Sequence, residues 1–221
     1  MTTISTVTDP QLRERLNDGL TALGLSLDAQ KRDQLLSYVA LLAKWNKVYN
    51  LTAVREPERM IGLHLLDSLS ILAHLGSGSS VLDVGTGGGL PGIPLAIADP
   101  ARRVTMLDAI AKKTAFVRQT ISELGLNNAT IVTSRVEDFS QTTKFDCIVS
   151  RAFAELKDFV DATGHLCAED GVMLAMKGIY PHDEVGRISG GFAATEIIAL
   201  KVPGVEGERH LVVIRKKSGS Q

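Results

Sequence analysis

Three things are scarce in this chain, and each scarcity excludes a class of protein. Cysteine occurs only at Cys147 and Cys167, both in apolar surroundings. Two thiols cannot build a disulfide framework or a zinc site, so buried free thiols in a reducing cytoplasm are expected. Charge of one sign is also lacking: 24 Lys and Arg against 25 Asp and Glu leave a formal net charge of −1. That balance excludes a protein that coats nucleic acid by bulk charge, yet it leaves room for a local basic patch. Long apolar runs are missing as well, each being interrupted well short of a membrane span. The N-terminal MTTISTVTDP has no basic segment followed by an apolar one. Neither a transmembrane helix nor a signal peptide is expected, and so no membrane partner and a cytoplasmic location.

What is present is the composition of a soluble globular protein, 44% apolar and 22% charged over 221 residues. The length fits one domain, alone or with an extension. The first third reads as helices. Leu12, Leu16, Leu20 and Leu23 make one face over residues 10–23. Leu35, Leu36, Val39, Leu42 and Ala43 stripe a longer helix that begins near Asp28. A third starts after Pro57 and carries Ile61, Leu65, Leu66, Leu69 and Leu72. GSGSS at residues 76–80 then marks a boundary. A helical extension, 1–75, is expected to pack on a core, 76–221.

Beyond that boundary, short apolar runs at 81–84, 104–107, 130–132, 145–149 and 172–176 alternate with helical segments such as 111–124 and 155–165. Buried strands between helices predict an α/β fold with a mostly parallel sheet covered on both faces. Residues 193–200 and 210–215, joined by VPGVEGE, read as a C-terminal antiparallel hairpin at the sheet edge. The last few residues, KKSGSQ, look disordered.

The first strand runs into VLDVGTGGGLPGIP at residues 81–94. A strand, a glycine turn and a helix place a ligand beyond the strand's carboxyl end. Here too, absences decide. No Lys-Ser or Lys-Thr follows the last glycine, which disfavours a nucleoside-triphosphate loop. The spacing of a dinucleotide fingerprint puts Gly85 and Gly87 in place but Leu90 where the third glycine belongs. Pro91 and Pro94 remove N–H donors from the helix start, where a pyrophosphate would bind.

The remaining common guest is S-adenosylmethionine, which carries no phosphate and has a positive sulfonium. It asks for close backbone approach at Gly85, Gly87 and Gly89, and for carboxylates. Asp83 lies at the end of the first strand and Asp108 at the end of the second, suited to ribose hydroxyls. Asp83 has an alternative role, bonding the N–H groups of its own turn.

The string DVGTGGGLPGIPLAI, with KWNKVYNLTAVR, HLLDS, SRVEDF, SRAFAEL, KG and GERHLVVI, resembles the bacterial 16S ribosomal RNA (guanine-N7) methyltransferase G family, also called glucose-inhibited division protein B. The likeness runs from about Leu35 to Ile214. It implies a Rossmann-like class I S-adenosylmethionine-dependent methyltransferase fold. It also implies methylation of guanine N7 in 16S ribosomal RNA of the small ribosomal subunit, with S-adenosylhomocysteine as product. Cofactor contacts are implied at Gly85, Leu90, Val136, Glu137 and Arg151. Two positions depart from the family: Gly88 stands where proline is common, and Leu63 where arginine often precedes the HxxDS segment.

Guanine N7 has a free lone pair and no proton to lose, so its attack on a methyl sulfonium needs no general base. Positioning then supplies most of the catalysis, about 7–11 kcal/mol for well-aligned reactants. The residues expected to hold the base are Arg151, Lys177 and Arg209, all at strand ends. An arginine can donate to guanine O6. Arg151 and Lys177 have a structural alternative, for Arg151 an ion pair with a helix carboxylate.

Arg135 could bind phosphate or pair with Glu137 or Asp138. His210 is expected to be structural, and Lys112 with Lys113 to form a solvated face. Trp45, Asn46, Lys47 and Tyr49 could stack RNA or anchor the helices. His64 and Asp67, three apart, are expected to form a buried polar pair, with no third ligand spaced to make a metal site.

The partner implied is 16S RNA or the small subunit, and no exposed apolar stripe demands a second copy, so a monomer is expected. Two other classes compete: a protein that binds S-adenosylmethionine without turnover, and a nicotinamide oxidoreductase, which Leu90 and the prolines disfavour.

Overall fold

The computed structural model describes residues 9–217, so residues 1–8, on which the expectation of no signal peptide falls, and residues 218–221 of the tail expected to be disordered lie outside it. Seven strands form one sheet: β1 (Ser80–Val84), β2 (Arg103–Asp108), β3 (Ala129–Thr133), β4 (Phe145–Ser150), β5 (Cys167–Lys177), β6 (Phe192–Ala199) and β7 (His210–Lys216). Their spatial order is β3-β2-β1-β4-β5-β7-β6. The first five run parallel, and β7 is antiparallel to both β5 and β6. The hairpin expected at the edge is there, with β7 slotted between β5 and the edge strand β6. β5 is longer than its apolar run suggests because Glu169 and Asp170 in its first half are exposed.

Successive strand residues enter opposite cores, as the pleat requires. Val81, Val104, Cys147 and Val149 face one apolar cluster, while Leu82, Leu107 and Ile148 face the other. The first cluster also takes the apolar faces of α1 (Pro10–Ala22) and α2 (Ala29–Tyr49), including Leu16, Leu35 and Leu42. Asp9 and Asp28 cap these two helices, accepting from the N–H groups of Gln11 and Lys31 at 2.9 and 2.8 Å. The extension thus shares its core with the sheet.

The third helix departs from expectation. It is α3 (Pro57–Met60), a π-helical turn (Ile61–Leu66) and α4 (Asp67–Leu69). The Asp67 N–H reaches back to the Gly62 carbonyl, five residues away. A wider turn breaks the 3.6-residue period, so His64 and Asp67 do not bond to each other as expected. His64 Nε2 instead meets Thr52 Oγ1 at 2.9 Å. Three more helices, α5 (Gly92–Ala98), α6 (Ala111–Leu124) and α7 (Leu156–Thr163), link the strands.

Candidate active site

The sheet order reverses between β1 and β4, and the crevice beyond the carboxyl ends of these strands is where an open α/β sheet binds ligands. Gly85 follows β1 with a φ of +72°, and a Cβ there would lie 2.5 Å from the Ala152 Cβ. Only glycine lets the loop pass under the turn that follows β4.

Asp83 lies beneath this loop, fully buried. Its Oδ2 accepts from the Thr86 hydroxyl at 2.6 Å and the Gly92 N–H at 2.8 Å, so it braces its own turn. Its Oδ1 has no partner among the described residues. Burial pushes the carboxyl up to about 6, against the pull of the Thr86 and Gly92 bonds.

The start of α5 is closed to phosphate. The Gly92 N–H is taken by Asp83 and the Ile93 N–H by the Gly89 carbonyl at 2.7 Å. Pro94 has no N–H. Pro91 precedes the helix, so the occupied donors, rather than two prolines within the first turn, complete the exclusion.

Gly85, Asp108, Val136 and Glu137 line one cleft of about 340 Å³, together with Ile110, Lys113, Arg135 and Phe153. Asp108 Oδ2 accepts the Gly87 N–H and its Oδ1 the Ile110 N–H, each at 2.9 Å. Each oxygen keeps a lone pair for a further donor. The cleft therefore offers the Asp108 and Glu137 carboxylates beside Lys113 and Arg135, with apolar walls and no free helix N-terminus, a fit to a nucleoside rather than to a pyrophosphate. Leu90 is outside this lining; its side chain is buried in the apolar cluster behind the loop. Asp83 also lies behind the wall.

Arg151 belongs to a second cleft, of about 280 Å³, whose lining includes Asp67, Lys177, Arg209 and His210. The three basic residues singled out at separate strand ends thus meet. Arg151 Nη1 lies 2.8 Å from Asp67 Oδ2, and Arg209 Nε lies 3.3 Å from Asp67 Oδ1. Burial raises the Asp67 carboxyl, while Arg151 and then Arg209 pull it down.

Arg151 does make the ion pair with a helix carboxylate that was its structural alternative, and it lines the cleft as well. Lys177 is more committed: its ammonium meets Glu184 Oε2 at 2.7 Å and donates to the Ala154 carbonyl. His210 is buried, its ring edge-on to Tyr180 at 5.3 Å.

Other candidates find structural places. Trp45 packs on Tyr49 and Phe116, and the Asn46 side chain bonds Val54 and Thr52 across the α2 terminus, so this cluster anchors the helices. Lys112 is exposed. A wider groove of about 1060 Å³, between α1, the π turn and residues 203–206, collects side chains of both signs and none of the strand-end residues. Among the described residues, no three His, Cys, Asp or Glu side chains gather to hold a metal ion, and no helix is long and apolar enough to cross a membrane.

Some contributors carried no sequence signal as site residues. The Tyr38 hydroxyl, from α2, donates to the Gly88 carbonyl at 2.7 Å. Glu184 and Phe153 come from connections. Thr86, three residues past Asp83 in a tight loop, was open to discovery as a turn partner.

Solved structures repeat this architecture. A methyltransferase from Aquifex aeolicus described as SAM-dependent aligns with 75% of the chain and 96% of its own, with a TM-score of 0.59 at 20% identity. The O-methyltransferase TomG from Streptomyces achromogenes, in complex with SAM, covers 93% of this chain and 99% of its own, with a TM-score of 0.58 at 16% identity. Those likenesses are of fold. Together with a crevice closed to pyrophosphate and lined in part by carboxylates, they define a protein of the Rossmann-like α/β fold.

Within that class the chain belongs to the rRNA small subunit methyltransferase G family, which it matches over residues 31–212. The Chromobacterium violaceum protein named ribosomal RNA small subunit methyltransferase G is 52% identical, over 89% of this chain and 94% of its own. The protein of that name from Pseudomonas paraeruginosa is 51% identical, over 92% and 95%.

Proposed function

We propose that this chain transfers a methyl group from S-adenosylmethionine to N7 of a guanine in 16S ribosomal RNA of the small subunit, releasing S-adenosylhomocysteine. The observation that carries the reading is that successive residues of the turn after β4 line the two clefts. Ala152 and Phe153 line the cleft with Asp108, and the preceding Arg151 lines the cleft with Arg209. A donor in one and a base in the other would meet at the turn after β4.

S-adenosylmethionine supplies a methyl on a cationic sulfur, which guanine N7 takes up by in-line displacement. Asp108 would accept from the ribose hydroxyls, and Gly85 and Gly87 would let the backbone approach. Val136 and Glu137 would border the nucleoside. Asp83 and Leu90 would support the loop from behind. Arg151, Lys177 and Arg209 would hold the base, with arginine donating to O6 and leaving N7 free. No side chain needs to remove a proton, so positioning carries the rate. The enzyme is read as a cytoplasmic monomer that recognises structured RNA, a base turned out of its stack.

The test incubates the protein with methyl-labelled S-adenosylmethionine and small subunits from a strain lacking the enzyme. Label recovered as 7-methylguanine in 16S RNA supports the proposal. Label in another base or atom, or none, refutes it. Normal turnover in Arg151→Ala, Lys177→Ala and Arg209→Ala together would remove the assignment of the base cleft.

A further inference from the structure

We propose that Asp67 is a positioning residue for methyl transfer, holding Arg151 and Arg209 as a two-armed clamp over the base cleft and offsetting their charge. This rests on the reading of that cleft as the guanine site.

The carboxylate lies low and the guanidiniums lie above it. The Asp67 side chain is 8% exposed, against 26% for Arg151 and 27% for Arg209. Oδ2 is hydrogen-bonded to Arg151 Nη1, while Oδ1, without a hydrogen bond among the described residues, faces Arg209 Nε as an ion pair at 3.3 Å, so one side chain lies between two cations from different loops. Arg151 Nη1 also reaches the Leu63 carbonyl at 3.4 Å, and Arg209 Nη1 the Glu208 carbonyl at 2.7 Å. These contacts use one nitrogen of Arg151 and two of Arg209. Among the described residues, Nε and Nη2 of Arg151 and Nη2 of Arg209 remain unspent for a ligand.

The backbone beneath is built for this placement. Asp67 closes the π-helical turn, its N–H bonded to the Gly62 and His64 carbonyls. A regular α-helical turn would rotate the carboxylate to another azimuth. Gly62 sits against the loop that leads to β7, where a Cβ would come within 3.1 Å of the Gly204 carbonyl oxygen. The helix that carries Asp67 therefore lies close to the loop that carries Arg209.

The charge argument is separate. Methylation at N7 leaves guanine with a positive charge that its sulfonium partner has lost. Two bare guanidiniums would oppose that charge as it develops, and Asp67 offsets one of them. Removal of the carboxylate should therefore slow the chemical step more than it weakens either substrate.

The experiment compares Asp67→Asn, Asp67→Glu, Arg209→Ala and the Asp67→Asn/Arg209→Ala pair with the full chain on small subunits. Asp67→Asn is expected to lower kcat about 10- to 100-fold. Its dissociation constant for S-adenosylmethionine, read by calorimetry, should stay within about twofold. Arg209→Ala should cost less in the Asp67→Asn background than alone, as residues acting as one unit do. Asp67→Glu, which keeps the charge, should recover part of kcat.

A kcat within about twofold of wild type in Asp67→Asn, with Arg151→Ala impaired, overturns the proposal while sparing the base cleft. Equal loss of cofactor binding and kcat, or strict additivity, reduces Asp67 to a structural strut and also overturns it. If Asp67→Asn does not fold, the Asp67→Glu variant decides: a kcat lowered less than about tenfold with unchanged cofactor affinity supports the clamp, and any larger loss of kcat or a loss of cofactor affinity refutes it. Normal activity in Arg151→Ala and Arg209→Ala would instead fail the base cleft itself.

Discussion

The Tyr38 hydroxyl is bonded to the Gly88 carbonyl at 2.7 Å, joining positions fifty residues apart in sequence. The next residue back, Gly87, gives its N–H to Asp108 at 2.9 Å. Two adjacent residues of the glycine loop are thus tied from different elements, one by helix α2 and one by strand β2.

Tyr38→Phe removes only the hydroxyl and leaves a buried carbonyl without its donor, a loss of about 1–3 kcal/mol. We expect a modestly lower Tm and a dissociation constant for S-adenosylmethionine raised about five- to tenfold. Calorimetric titration checks the second effect. An unchanged affinity alongside a lowered Tm would confine Tyr38 to stability.

Asp108→Ala removes the acceptor for the Gly87 and Ile110 N–H groups and a carboxylate of the cofactor cleft. Cofactor affinity should fall about 10- to 100-fold, at 1.4 kcal/mol per factor of ten. KM for S-adenosylmethionine should rise accordingly, while KM for small subunits stays near wild type. A selective rise in the second KM would place the carboxylate on the wrong substrate.

Gly92→Ala tests the packing of the helix start. A Cβ would fall 2.4 Å from Met106 Cγ and 2.8 Å from Asp83 Oδ2, both inside van der Waals contact. Overpacking of this kind costs about 1–3 kcal/mol. Denaturant unfolding should show it, with weaker cofactor binding as the Asp83 brace shifts. Wild-type stability would mean that β1 and α5 can separate freely.

His64 sets a pH dependence. Burial, against a smaller opposing effect of the nearby Leu63 backbone and with the charge of Arg151 adding to it, lowers its pKa from 6.5 to about 4. A base with a depressed folded pKa gives stability that is whole above pH 6.5 and is lost as pH falls through about 4. Relative to His64→Gln, the wild type should lose about 3 kcal/mol across that window. Parallel melting curves for the two proteins from pH 7 to 4 would show that His64 does not titrate with unfolding.

Much of the site was legible because strand ends are legible. Apolar runs located β1, β2 and β4 to within a residue or two, and a parallel sheet puts the carboxyl ends of its strands on one edge. Asp83, Asp108, Arg151 and Lys177 followed from that rule. The third helix was placed, with Ile61, Leu65, Leu66 and Leu69 buried as its spacing requires, but a π turn has no marker in apolar spacing, and within it His64 and Asp67, both buried, take other partners. Asp83 illustrates a finer limit: its position was plain, but its bonds to Thr86 and Gly92 required the folded turn.

The sequence by itself determined the local grammar of this enzyme: strand, glycine turn, proline-bearing helix, and basic residues where strands stop. These depend on periodicity and on backbone rules that act within a few residues. Only the tertiary structure decided that one aspartate near the end of the helical segment meets arginines from two distant loops, and that a buried tyrosine ties the glycine loop. Such contacts depend on how whole elements pack. A buried polar group must find whatever partner that packing brings within about 3 Å.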